Sequence, residues 1–155
     1  MDQVVVKIPA TTANMGPGFD CVGCALSVYN TITFKKMPSG VVVDGKDRNF
    51  PNDKSLVVSA YKTALAELNQ QFTGISIDIN SKIPVTRGLG SSAAIIVGSV
   101  TAAYILSDIP LDKQRVFEIA SKIEGHPDNV APAIFGGLTA SFMDGGVPHT
   151  VRYDI

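Results

Sequence analysis

A glycine- and serine-rich stretch, PVTRGLGSSAA at residues 84–94, contains the residue types in this sequence best suited to chemistry. It leads into a largely apolar run without charges, which predicts a helix beginning at Ser91. The first turn of a helix leaves four backbone N–H groups unpaired, and the helix dipole adds roughly half a positive charge there. Gly88 and Gly90 would let a phosphate approach these groups, because glycine has no Cβ. The hydroxyls of Ser91 and Ser92 could reach phosphate oxygens or a magnesium ion, so the stretch predicts a phosphate-binding loop.

A membrane span is one alternative for this run, because residues 88–107 contain no charged side chain and about 20 residues can cross a bilayer. The run contains three glycines, however, and aromatic and basic residues do not flank both of its ends. A helix that is apolar on all sides is also typical of the interior of a soluble domain. We favour this second interpretation.

A dinucleotide-binding oxidoreductase is another alternative, because residues 88–93 match G-x-G-x-x-A and Asp108 follows at about 20 residues. That fingerprint requires a strand running straight into the first glycine and an acidic residue at the end of the next strand. Here a connector containing Pro84 comes first, and Asp108 falls at the end of a predicted helix. No lysine completes the P-loop pattern G-x-x-x-x-G-K-[ST] either. A run of small residues needed only for close packing remains a further alternative.

The elements that must position this loop follow from the periodicity of apolar residues and from the turn residues. Strands are predicted at residues 3–8, 27–34, 41–43, 75–79, 136–142 and 149–155. Helices are predicted at residues 55–71, 91–107 and 111–124, the last capped by Asp112, with a short helix or loop at 128–135. Structured loops are predicted at residues 9–24 and 44–54, which are rich in Gly, Pro and polar residues. Strands and helices do not alternate one for one, which favours an α+β fold with helices on one side of a sheet.

The composition narrows the class of protein. A chain of 155 residues predicts one domain, and a net charge of −1 argues against a protein built to bind nucleic acid or an acidic membrane surface. The N-terminus shows no signal peptide, so we expect a cytoplasmic protein without a membrane segment. Cys21 and Cys24 are interpreted as small buried thiols, because a zinc site would need a second pair of ligands.

Three stretches together resemble the GHMP small-molecule kinases, and among them the homoserine kinases: PATTANMGPGFDCVG (9–23), PVTRGLGSSAA (84–94) and EGHPDNVAPAIFGGL (124–138). The resemblance implies a nucleotide-binding domain similar to ribosomal protein S5 domain 2, covering residues 1–155. Members of this family are considerably longer, so the resemblance implies that a C-terminal domain would follow Ile155 and is not present in this chain.

The same resemblance implies a reaction and the residues that serve it. The reaction is transfer of the γ-phosphoryl group of ATP to the side-chain hydroxyl of L-homoserine, assisted by Mg²⁺, on the route to threonine. ATP would be bound by Pro84, Arg87, Gly88, Leu89, Gly90, Ser91, Ser92 and Ala93. The magnesium ligands would be Ser92 and Glu124, the amino acid would contact Asn14, Asp20 and His126, and the catalytic residues would be Asn129 and His126. A homodimer is compatible with this resemblance.

The chemistry of these side chains supports the roles that the resemblance implies. A carboxylate such as Asp20 is the natural partner of the homoserine ammonium group, and a hard cation prefers oxygen ligands such as Glu124. Asn129 stands where some relatives carry a catalytic aspartate, so we expect catalysis without a dedicated side-chain base. Phosphoryl transfer tolerates this, because its loose transition state needs little activation of the nucleophile. A kinase for another small alcohol and a non-catalytic phosphate-binding module remain alternatives, and we expect this chain alone to show little turnover.

Overall fold

A computed structural model describes residues 1–45 and 55–155, which form a six-stranded sheet and four helices. The strands are β1 (Gln3–Met15), β2 (Gly18–Lys36), β3 (Gly40–Gly45), β4 (Gly74–Asn80), β5 (Leu138–Asp144) and β6 (Val147–Tyr153). The helices are α1 (Leu56–Glu67), α2 (Ser91–Leu106), α3 (Lys113–Glu124) and α4 (Val130–Phe135). The predicted α+β class is confirmed. Most of the loop predicted at 44–54 lies outside the described residues.

The sheet is organised around the long strand β2. Its order is β3-β4-β2-β5-β6, and β1 pairs with β2 in addition. The second half of β2 pairs with β4, from Thr31 opposite Asn80 to Lys36 opposite Ile75, while Val22, Gly23 and Cys24 pair with β5. Among the described strands only β3 and β4 run parallel. The central strand therefore connects the two ends of the sheet.

The core lies between one face of this sheet and the helices. Ile75, Ile77 and Ile79 alternate with less buried residues along β4, which is the pattern of a strand with one covered face. Phe34 of β2 stacks on Tyr61 of α1 with ring centroids 5.8 Å apart. Helix α2 also approaches the sheet closely: a Cβ added at Gly98 would lie 3.1 Å from Ile32 Cδ1. Gly98 therefore allows α2 to pack closely against the sheet.

The prediction of a loop at residues 9–24 is wrong, because most of these residues lie in strands. β1 continues to Met15, β2 begins at Gly18, and the turn is confined to the two residues between them. The register of the β1–β2 pair shifts between Pro9 and Thr11 and again before Met15. Such bulges accommodate a proline without a backbone N–H donor, so residues typical of loops sit here within a distorted strand pair.

Helix α2 is uncharged on all sides because it is buried in the core. It packs against β1, α1 and α3, and the hydroxyl of its buried Ser99 donates to the carbonyl oxygens of Ile95, at 2.8 Å, and Val57, at 3.1 Å. At 16 residues it ends at Leu106. Within residues 1–45 and 55–155, no helix has the length and apolar character needed to cross a bilayer.

Helix α3 positions Glu124. Its predicted N-cap is confirmed, because the Asp112 carboxylate accepts hydrogen bonds from the N–H groups of Gln114, at 2.9 Å, and Arg115, at 3.2 Å. Gly125 follows the helix as its C-cap, with a φ of +98° that glycine adopts without strain. Glu124 is therefore the last residue of α3 and lies beside the chain that leads into α4.

Candidate active site

The start of α2 leaves backbone donors available to a ligand. Gly90 is its N-cap residue in the left-handed conformation, with φ +62°, and no side chain caps the helix. Among the described residues, none accepts a hydrogen bond from the N–H groups of Ser91, Ser92 or Ala93. Gly88 also has a left-handed φ of +66°. The unpaired donors that the sequence predicted at the glycine loop are present.

A cavity of about 620 Å³ opens in front of these donors. Its walls come from α1, the glycine loop, the first turn of α2, the end of α3 and the start of α4. The lining residues are Leu56, Ser59, Pro84, Val85, Thr86, Arg87, Gly88, Leu89, Gly90, Ser91, Ser92, Ile95, Glu124 and Asn129. A cavity of this size suits a nucleotide, which needs an apolar wall for its base and polar donors for its phosphates.

Ser92 and Glu124 form the polar pair at the floor of this cavity. The Ser92 hydroxyl donates to Glu124 Oε1 at 2.6 Å, which joins α2 to the end of α3. Burial raises the pKa of the half-buried Glu124 carboxyl, and the hydrogen bond from Ser92 opposes that rise. Their oxygens are of the kind that Mg²⁺ prefers, and Mg²⁺ normally takes one or two carboxylates and completes its shell with phosphate and water oxygens. The pair fits that requirement, whereas no group of three or more His, Cys, Asp or Glu side chains in the described chain could hold a metal ion.

The residues after α3 form a second polar group. His126 is exposed, and its Nδ1 lies 3.6 Å from Oδ1 of the buried Asp128. The same Asp128 oxygen accepts a hydrogen bond from the N–H of Asn129 at 2.8 Å. Asn129 lines the cavity, and its own side-chain Oδ1 accepts a hydrogen bond from the Thr11 hydroxyl at 2.8 Å. The Asn129 amide therefore lies in the same cavity as the N–H groups of α2, whereas His126 is not among the lining residues, and Oδ1 of Asp128 accepts a backbone hydrogen bond.

Asn14 in β1 and Asp20 in β2 lie on either side of the turn that joins these strands. Both are exposed and both have left-handed backbones, with φ +58° and +52°. The N–H of Asp20 donates to Asn14 Oδ1 at 2.8 Å, which leaves the Asp20 carboxylate open to solvent. Neither residue lines the cavity. Their predicted contacts with an amino acid stay a prediction.

Comparison with known proteins places the chain in a family. The family model described as the GHMP kinases N terminal domain matches residues 55–137, which is more than half of the chain. The chain belongs to the GHMP kinase N-terminal domain family. The match begins at α1 and ends just before β5, so it contains the glycine loop, the Ser92–Glu124 pair and Asn129.

Within the GHMP kinases, the chain is similar to homoserine kinases. It is 44% identical over 142 residues to a homoserine kinase of Clostridium botulinum strain Langeland, covering 92% of this chain and 48% of that protein. A Listeria monocytogenes protein assigned as a homoserine kinase has a similar structure, with a TM-score of 0.86, 34% identity, and coverage of 97% of this chain and 53% of that one. The homoserine kinase of Cytophaga hutchinsonii gives a TM-score of 0.81 at 28% identity, covering 98% and 52%. The chain spans about half the length of the curated relatives that it matches.

The structure brings most of the predicted GHMP kinase site residues to one cavity. The predicted ATP-binding residues line it, except Ala93, whose side chain is buried in the core. The predicted magnesium ligands meet there, and Asn129 also lines the cavity, whereas His126 does not.

Sequence reasoning missed several residues of this site. Leu56, Ser59 and Ile95 line the cavity from α1 and α2, and Thr11 reaches Asn129 from β1. The helical spacing at the start of α1 indicated a buried face, but periodicity does not show that one end of that face opens into a cavity. Thr11 lies in the quoted PATTAN segment, although nothing in its type distinguishes it from the neighbouring Thr12.

Proposed function

We propose that this chain is the nucleotide-binding domain of a magnesium-dependent homoserine kinase, with residues 1–155 forming one domain. The observation that carries the proposal is that the Ser92–Glu124 pair lies in the same cavity as the unpaired N–H groups of α2. The chain is also 44% identical to a homoserine kinase. The other support is the cavity in front of them, whose volume is about 620 Å³. The expected product is O-phospho-L-homoserine, an intermediate on the route to threonine, made in the cytoplasm.

In the proposed binding mode, the N–H groups of Ser91, Ser92 and Ala93 donate to phosphate oxygens of ATP. The helix dipole adds favourable charge at the same place. Ser92 and Glu124 would hold Mg²⁺, which would supply positive charge against the negative phosphate oxygens of the nucleotide. Apolar walls from Leu56 and Ile95 provide a surface for the remainder of the nucleotide.

In the proposed reaction, the hydroxyl oxygen of homoserine forms a bond to the γ-phosphorus as the bond to the β–γ bridging oxygen breaks, and ADP leaves. The hydroxyl proton passes late to a transferred phosphoryl oxygen or to solvent water, because a loose transition state places little positive charge on the attacking oxygen. A dedicated base is not required, and the amide of Asn129 could not act as one. The rate acceleration then comes from positioning and from electrostatic stabilisation of the phosphoryl oxygens.

The amino-acid substrate is assigned to the polar residues outside the cavity. The Asp20 carboxylate would accept hydrogen bonds from the homoserine ammonium group, since charge-assisted bonds are the stronger kind. Asn14, which already accepts the Asp20 N–H, retains its amide N–H₂ for the substrate, and His126 would contact the carboxylate or hydroxyl. A kinase for an alcohol without an ammonium group would gain nothing from Asp20.

A coupled ADP-release assay tests this proposal. It compares L-homoserine with small alcohols that lack an amino group, with and without Mg²⁺, on this chain and on a version extended to the length of its relatives. We expect the extended version to require both homoserine and Mg²⁺, and this chain to bind nucleotide with little turnover. Equal rates with the other alcohols, or ADP release that is independent of Mg²⁺, would contradict the proposal.

A further inference from the structure

Thr11 connects two parts of the site, although it is not among the site residues that the sequence predicted. Its side chain is fully buried in β1, and its hydroxyl donates to Asn129 Oδ1 at 2.8 Å. Its backbone N–H donates to the carbonyl oxygen of Leu89, in the glycine loop, at 3.2 Å. One residue of the first strand therefore holds both the loop before α2 and the amide before α4.

The Thr11 hydroxyl holds the Asn129 amide with the amide oxygen facing it. An asparagine side chain has an acceptor oxygen and a donor nitrogen of nearly equal shape, so its orientation follows from its partners. Here Oδ1 is turned to Thr11, and within residues 1–45 and 55–155 no acceptor takes a hydrogen bond from Nδ2. Because Asn129 lines the cavity, its amide N–H₂ group is the part left to meet a ligand.

The surroundings of Gly90 show how tightly Thr11 and Asn129 pack against the glycine loop. A Cβ at this position would collide with Thr11 Oγ1 and would lie 3.1 Å from Asn129 Oδ1. A Cβ at Gly88, two residues earlier in the same loop, would meet nothing within 4 Å. The space beside Gly90 is thus filled by the Thr11–Asn129 hydrogen bond, which fixes that bond relative to the first turn of α2.

We propose that Thr11 is a positioning residue that presents the Asn129 amide as a hydrogen-bond donor to an oxygen of the bound reactants. This inference rests on the proposed phosphoryl transfer, in which negative charge spreads over the phosphoryl oxygens. The oxygen belongs either to the phosphoryl group or to the acceptor alcohol, and the two share the same acceptor chemistry. A Thr11 without its hydroxyl would let the amide rotate and would leave Asn129 Oδ1 without its partner.

The test compares Thr11→Val, which removes the hydroxyl at nearly constant shape, with Thr11→Ser, which keeps it. Both retain the backbone N–H that donates to Leu89. Thr33→Val is the matched control, because Thr33 is a half-buried strand residue of β2 that does not line the cavity. The first readout is the pair of side-chain amide N–H signals of Asn129 in nuclear magnetic resonance spectra, identified by their loss in Asn129→Ala. The second is calorimetric binding of ADP with Mg²⁺, and of homoserine in the presence of ADP.

We expect Thr11→Val to move the Asn129 amide signals toward those of exposed asparagines, and Thr11→Ser and Thr33→Val to leave them in place. We also expect Thr11→Val to weaken binding about tenfold, the loss of one well-placed hydrogen bond. Loss of ADP affinity assigns the acceptor to the phosphates, whereas a loss confined to homoserine assigns it to the alcohol. Unchanged amide signals, or changed signals with both affinities intact, overturn the proposal. If the wild-type chain binds neither ADP nor homoserine, the proposed function is refuted. The amide signals alone then show whether Thr11 holds the Asn129 amide in its orientation.

Discussion

The hydroxyl of Ser92 lies 2.6 Å from Oε1 of Glu124, although 32 residues separate them in the chain. The contact joins the first turn of α2 to the last residue of α3. It places two side-chain oxygens of the kind that Mg²⁺ prefers beside the unpaired N–H groups that, in our proposal, bind a triphosphate.

Glu124→Gln should remove the dependence of nucleotide binding on magnesium. The glutamine keeps an oxygen that accepts the Ser92 hydroxyl, so the substitution removes charge at nearly constant shape. We expect the gain in ADP affinity on adding Mg²⁺ to fall about tenfold or more, because Mg²⁺ sites rely on one or two carboxylates. Calorimetry with and without Mg²⁺ measures this. Glu118→Gln on the same helix, where the side chain pairs with Arg115 at the surface, is the control, and an equal loss there would refute the assignment.

Gly90→Ala should destabilise the protein more than Gly88→Ala. Both positions have left-handed backbones, and this conformation costs an alanine roughly 1–2 kcal/mol. Only at Gly90 would the new methyl group also collide with Thr11, which adds overpacking of roughly 1–3 kcal/mol. Urea denaturation of the two variants gives the difference directly. Equal free energies of unfolding would show that the space beside Gly90 is not filled as the structure describes.

Asp20→Asn should weaken homoserine binding without changing the fold or the affinity for ADP. Asparagine tolerates the left-handed conformation of Asp20, φ +52°, and the backbone N–H still reaches Asn14. What is lost is the negative charge that would pair with the ammonium group. We expect a loss of about tenfold in homoserine affinity, measured in the extended version of the chain. A parallel loss of ADP affinity would indicate that the turn, and not the charge, had been disturbed.

Glu67→Gln should remove a part of the stability that depends on pH. The hydrogen bond from Lys122, helped by the charges of Lys122 and Arg115, holds the pKa of the Glu67 carboxyl below its usual range. A carboxyl with a lowered pKa in the folded state stabilises the protein above its unfolded pKa, and this contribution disappears as the pH falls through the folded pKa. Because the pair is partly exposed, we expect about 1 kcal/mol or less at neutral pH.

The measurement for Glu67 is the free energy of unfolding of both proteins from neutral pH down through the ordinary titration range of glutamate, about pH 4. The wild type should be the more stable at neutral pH, and the two curves should converge as the pH falls. Asp78→Asn, at an exposed position of β4, is the control. A difference that grows toward low pH would have the wrong sign for this pair.

The local elements of the fold were largely predictable. The three longer helices and the strands at 75–79, 136–142 and 149–155 occur within a few residues of the predicted bounds. Periodicity identifies such elements because each buries one face, and Asp112 could be recognised as a cap because its side chain acts on the next turn. The segment at 9–24 could not be predicted in the same way. Its glycines and prolines favour a loop locally, but pairing along β2 supplies the backbone hydrogen bonds that hold it as a bulged strand.

The sequence by itself predicted a helix start with unpaired backbone donors, because Gly88, Gly90, Ser91 and Ser92 precede an apolar run, and the structure contains that helix start. The sequence also determined the family, through three motifs in order along the chain. Only the tertiary structure decided which residues meet: that Ser92 touches Glu124, that Thr11 orients Asn129, and that Asn14 and Asp20 lie outside the cavity. The reason is physical. Backbone conformation depends on neighbours in the chain, whereas contacts between distant side chains depend on how the sheet and the helices pack in three dimensions.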